Sequence, residues 1–180
     1  FMLFTEDIRI GILAVDPSKS KTGGALLGDR IRYNQVYNDR VYFRSFATRQ
    51  SLSELSSAIT DSINVLKTCG FDIIFVETSG IGQGDSKVAE ISDVSIYVMT
   101  SEFGAPTQLE KIDMLDFANY IVINKFEKRG SEDAMREVMI NYIRTHQLKL
   151  DRAIPLLEQN LPVYACSSNQ FNNSGVNRLF

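Results

Sequence analysis

A chain of 180 residues with 44% hydrophobic content can bury a full core, and its size favours a single α/β or α+β domain over residues 1–180. A formal charge of −3, with no run of five like charges, removes the long-range attraction that a nucleic-acid or anionic-membrane binder would show, so neither is an expected partner. Cys69 and Cys166 lie far apart, His146 has no metal-ligand neighbours, and no apolar run approaches the roughly 20 residues of a membrane span; a disulfide scaffold, a zinc site and a spanning helix are disfavoured, and a cytoplasmic setting fits.

Phe1 precedes Met2, and a strand pattern begins a few residues later, which fits either an internal position in a longer polypeptide or a tag remnant. The first strand is "IRIGILAVD", residues 8–16. Then comes "TGGALLGDR", where Gly23 and Gly28 stand at the GxxxxG spacing of a phosphate-binding loop. Asp29 and Arg30 occupy the places where that loop has Lys and Ser or Thr, and a carboxylate aimed at a polyphosphate would repel it. The stretch is therefore an ordinary glycine turn, or a nucleotide-site loop whose acid faces a metal.

"VYFRSF", residues 41–46, alternates and reads as an edge strand or hairpin piece. Residues 51–70 place Leu52, Leu55, Ile59, Ile63 and Leu66 on one helical face, with Gly70 to end the helix. Strands follow at 71–78, 94–100, 120–125 and 161–167, separated by helical patterns at 107–118 and from Ser131 toward Leu148. Near-continuous Ile/Val runs are the habit of parallel strands covered on both faces, and the alternation with helices argues for βαβ units in a doubly wound sheet. Ligands of such sheets sit beyond the carboxyl ends of the strands.

That rule selects Asp16, Glu77–Gly80, Asn124–Glu127 and Ser167–Asn169. "INKFEKRG" sets Asn124, Lys125 and Glu127 directly after a buried strand, one residue away from the Asn-Lys-x-Asp element that reads guanine in GTPases. The carboxylate would accept from the ring and exocyclic N–H groups of guanine, Asn124 would support the loop, and the Lys125 stem would cover the base. "ETSGIGQGD" puts Gly80 three residues beyond Glu77 at a strand end, the spacing at which an acid holds Mg²⁺ through water while a glycine amide meets a γ-phosphate. Asp16 and Asp29 add two hard oxygen ligands suited to the same cation. No GxxxxGK[ST] occurs in the 180 residues.

"DPSKSKTGGALLGDRIR", "ETSGIGQGD" and "INKF" resemble the signatures of the metallochaperone-type GTPases that service adenosylcobalamin-dependent acyl-CoA mutases. "SEFGAPTQLEKIDMLDFANYIVINKFEKRG" and "SSNQFNNSGVNRLF" resemble the GTPase domain of fused mutases within that family, and the similarity covers essentially the whole chain. The resemblance implies a P-loop NTPase-like α/β fold of the SIMIBI class: a mainly parallel sheet flanked by helices, lacking the first strand, P-loop and helix, which would lie upstream of Phe1. It implies GTP or GDP and Mg²⁺ as ligands, adenosylcobalamin elsewhere in the parent protein and not on this domain, mutase and cobalamin-binding domains as partners, and a homodimeric parent.

By the same resemblance Asp16, Asp29 and Glu77 match the acids around Mg²⁺ and the hydrolytic water, Gly80 faces the γ-phosphate and Gln83 lies in the second switch. Asn124 and Lys125 match the guanine loop, Glu127 departs from the family's Asp, and Ser167 and Ser168 fall in the last base-contacting loop. Residues 101–116 resemble a segment that signals to the mutase. Without a phosphate cradle these 180 residues are expected to turn over GTP weakly or not at all. A non-catalytic docking module on a decayed G fold is the alternative. A nickel-insertion GTPase would want a Cys/His cluster, and a dinucleotide fold would want GxGxxG after the first strand.

Overall fold

The computed structural model describes residues 7–17, 39–48, 52–78, 89–103, 114–149, 154–158 and 160–179, with the side chains of Asp16, Leu52 and Leu55 outside that description. Two compact units result, Phe1–Ser92 and Asp93–Phe180, and each holds a three-stranded parallel sheet.

In the first unit β1 (Ile10–Pro17) lies between β2 (Val41–Thr48) and β3 (Ile73–Glu77). Its central place explains its unbroken apolar run. Ile10, Ile12 and Ala14 pack with Phe43 on one face, and Leu13 packs on the other against Ile59, Ile63 and Leu66 of helix α1 (Leu52–Thr68). Gly11 permits this close approach, since a Cβ there would stand 2.8 Å from Leu66 Cδ1. The expected helix face is thus present at Ile59, Ile63 and Leu66, and Gly70 ends the helix as expected. At φ 76° it closes a Schellman turn, in which Gly70 N–H donates to Lys67 O and Phe71 N–H to Leu66 O, both at 3.1 Å. Arg9 then locks the entry to β1 onto this turn: its backbone N–H donates to Asp72 Oδ2 at 2.8 Å, its guanidinium donates to the Cys69 carbonyl, and its side chain lies over the Phe71 ring.

The 41–46 stretch is an edge strand as expected, but it is no hairpin piece. It runs parallel to β1 with Ile10 opposite Val41, because the 23 residues between the two strands permit a crossover where a hairpin would need only a few.

In the second unit β5 (Tyr120–Asn124) lies between β4 (Ile96–Thr100) and β6 (Val163–Ala165). Met99, Ile121, Ile123 and Val163 share one face with Val138 and Met139 of helix α3 (Ser131–Thr145) and with Leu115 of the short helix α2 (Met114–Phe117). Of the two candidates closing the 107–118 pattern, Ala118 is buried and Phe117 is exposed. The expectation of cover on both faces fails on β4. Ile96 and Val98 are 45% and 58% exposed, since α3 packs against the opposite face, where Met99 is buried.

Leu13 is fully buried, so Leu13→Ala is expected to cost about 2–5 kcal/mol of stability, read by denaturant unfolding.

Candidate functional site

The parallel ladder of β5 and β6 does not stop at its last strand residues. It continues into two loops. Cys166 N–H donates to Ile123 O at 2.9 Å, and Phe126 N–H donates back to Cys166 O at 3.0 Å. Between these bonds Asn124, the last residue of β5, turns its side-chain Oδ1 to accept from Ser168 N–H at 3.2 Å. The chain reverses at Lys125, which is left-handed at φ 56°. That conformation costs a non-glycine residue about 1–2 kcal/mol, and it is held by the Phe126 bond and by Lys128 N–H donating to Lys125 O at 2.9 Å. Strain of this kind, over-determined by its surroundings, concentrates at functional sites. Ser131, buried at the start of α3, sets its hydroxyl 3.5 Å from the same Lys125 carbonyl.

Glu127 follows two residues later and is exposed. Its own backbone N–H, then the Ser167 hydroxyl and the Asn169 side chain, hold its carboxyl below the ordinary glutamate range, with the positive charge of Lys128 adding to the effect. Asn124, Lys125, Glu127, Ser167 and Ser168 therefore come together at the carboxyl ends of β5 and β6. Lys128 also pairs with Glu102 at 3.0 Å, tying this loop to the turn Ser101–Phe103 that follows β4 and lowering the Glu102 pKa. Both partners are well exposed, so the pair is a locator more than a source of stability.

In the first unit, Asp16 and Glu77 occupy the carboxyl ends of adjacent strands, with Ala14 opposite Glu77 in register. Among the described residues no group of three His, Cys, Asp or Glu side chains could enclose a metal. Asp29, Gly80 and Gln83 lie outside the described residues, as do positions 104–113 of the 101–116 segment.

Sequence reasoning missed Asn173, whereas Asn169 falls in the Ser167–Asn169 stretch that the strand-end rule selects. Asn173 directly precedes helix α4 (Ser174–Leu179), and an Asn before a helix is an N-cap signal.

A buried parallel strand thus runs into Asn-Lys-x-Glu, and the loop that follows is braced by the loop after the next strand. Residues 1–170 match the family described as methylmalonyl Co-A mutase-associated GTPase MeaB, and the chain belongs to that family. A fused isobutyryl-CoA mutase of Geobacillus kaustophilus is 62% identical over 97% of this chain and 16% of its own length. A fused isobutyryl-CoA mutase of Cupriavidus metallidurans is 46% identical over 100% of this chain and likewise 16% of its own length. The chain thus spans about one-sixth of these relatives. Among solved structures, HypB from Helicobacter pylori, in complex with nickel, superposes with a TM-score of 0.53 at 15% identity, over 92% of this chain and 69% of that one. At this identity the match shows the fold alone, an α/β fold shared with that protein.

Removing the Ser167 hydroxyl takes away one bond that favours the charged form of Glu127. Ser167→Ala is expected to raise the Glu127 pKa toward the ordinary glutamate range, read by carbon-detected NMR titration. The sign for stability follows: a depressed folded pKa contributes above the unfolded value and is lost as pH falls through the folded one, so the acid-side loss should be smaller in the variant and complete at a higher pH.

Proposed function

We propose that the chain is the guanine-reading part of a GTPase whose nucleotide state gates adenosylcobalamin loading and protection of an acyl-CoA mutase of the isobutyryl-CoA or methylmalonyl-CoA type. The observation that carries this reading is the bonding of the 124–128 loop to the 166–169 loop, with Glu127 held ionised at its tip. An ionised carboxylate accepts the N1–H and exocyclic NH₂ of guanine, whereas adenine offers no such donor pair. The residues present fit a guanine nucleotide in this respect. Glu127 carries one methylene more than Asp, and the left-handed turn at Lys125 gives the loop a way to set it back.

For hydrolysis, Asp16 and Glu77 would hold Mg²⁺ through water, with Asp29 as a third acid. Bound there, the ion would neutralise charge on the β- and γ-phosphates. Gly80 would donate its amide to the γ-phosphate, and Gln83 would help to place the attacking water. The 180 residues contain no GxxxxGK[ST], so the remaining phosphate donors are proposed to come from polypeptide outside them. On this reading the chain forms one G domain in a cytoplasmic, homodimeric parent, its partners are the mutase and cobalamin-binding domains of the same polypeptide, and adenosylcobalamin binds there and not here. Among the described residues no helix is long and apolar enough to cross a membrane.

The test is nucleotide binding to the full-length protein that carries this chain. GTP should bind well ahead of ATP, and Glu127→Gln should weaken GTP by a factor of ten or more, the loss expected for a charged hydrogen bond worth about 1.5–3 kcal/mol. The same variant should gain affinity for XTP, whose 2-oxo group accepts from the new amide. Equal binding of GTP and ATP would overturn the reading. Guanine preference without hydrolysis would move it to a docking module that senses nucleotide but does not turn it over.

A further inference from the structure

One atom outside the base loops organises the second of them. Asn173 Oδ1 accepts three backbone hydrogen bonds: from Ser167 N–H at 3.2 Å, from Gly175 N–H at 3.1 Å and from Val176 N–H at 3.2 Å. The last two are an N-cap of α4, satisfying donors that a helix start leaves open. The first reaches back six residues into the 166–169 loop. The other end of the same amide is also fixed, since Asn173 Nδ2 donates to Gln170 Oε1 at 3.2 Å, and Gln170 N–H donates to Ser167 O at 2.9 Å. The Ser167–Asn173 turn is therefore closed by one side chain acting at both of its ends.

The helix that carries this cap has little room to move. A Cβ on Gly175 would lie 1.7 Å from the Ala165 carbonyl oxygen, so α4 rests directly on the backbone of β6. A second brace joins Asn177 Nδ2 to Asn172 Oδ1 at 2.8 Å, holding Asn172 in its left-handed conformation. The contact with β6 fixes α4, α4 fixes Asn173, and Asn173 fixes the Ser167 amide. Ser167 in turn presents its hydroxyl to Glu127, and its neighbour Ser168 is the donor to Asn124.

We propose that Asn173 is a positioning residue for base recognition, setting the height and orientation of the Ser167–Asn169 loop so that Glu127 faces the guanine edge. It touches no nucleotide and acts through Ser167. The proposal rests on the guanine-reading function argued above. It adds that selectivity for the base depends on a residue in the carboxyl-terminal turn.

Asn173→Ala removes all three acceptances, whereas Asn173→Asp keeps an oxygen at the same place and loses only the bond to Gln170. In the full-length protein, Asn173→Ala should weaken GDP at least tenfold while changing ADP by less than twofold, and Asn173→Asp should recover most of the loss. A purely structural role would lower affinity for both nucleotides together and track the thermal unfolding midpoint. In the nucleotide-free chain, Asn173→Ala should also raise the Glu127 titration midpoint, because the Ser167 hydroxyl is no longer held against the carboxylate. Wild-type protein that binds GDP and ADP alike would sink the guanine-reading function itself. A Glu127 midpoint unmoved in Asn173→Ala, or a GDP loss that Asn173→Asp fails to recover, would overturn the role of Asn173.

Discussion

The candidate site depends on how a parallel ladder ends. At the carboxyl ends of β5 and β6 each strand still carries backbone donors and acceptors, and leaving them unpaired in a partly buried place would be costly. The chain meets this need with three bonds, Cys166 to Ile123, Phe126 to Cys166 and Ser168 to the Asn124 side chain. Two of the three are backbone bonds that many sequences could make. The third requires a short side-chain amide at position 124, and it fixes which residues of the next loop lie beside Glu127.

Each layer below serves that geometry. Ile121 and Ile123 are buried against α3, which holds the end of β5 in place, and buried Ser131 at the start of α3 sits under the Lys125 carbonyl. The left-handed Lys125 is the one strained point of the loop, and it lies where the chain must turn out of β5. In the first unit β1 is held at its amino end by the Arg9 tie to the α1–β3 turn and in its middle by the packing of Leu13 against α1.

Much of this is legible in the residues. The Ile/Val runs place the strands, α1 and α3 fall where the apolar periodicity puts them, and Gly70 ends α1. Asn-Lys-x-Glu after a buried strand marks the base loop. What escapes has physical reasons. The parallel pairing of β2 with β1 depends on a long crossover, and a short alternating run such as "VYFRSF" carries no sign of strand direction. The exposed face of β4 is invisible because Ile96 and Val98 read the same whether or not a helix covers them. Asn173 reaches the Ser167 amide through a side-chain hydrogen bond from six residues further on, and only the helix that follows Asn173 gives any hint of its role.

The membership of the chain in a GTPase family and the geometry of its 124–128 loop meet at Glu127, the position where the sequence departs from the usual Asp. The most direct measurement is therefore the structure of the GDP-bound full-length protein. The account predicts both Glu127 carboxylate oxygens within about 3.2 Å of guanine N1 and N2, with the Asn124–Ser168 bond intact. A base seated elsewhere, or a Glu127 carboxylate beyond hydrogen-bond distance of guanine N1 and N2, would contradict it.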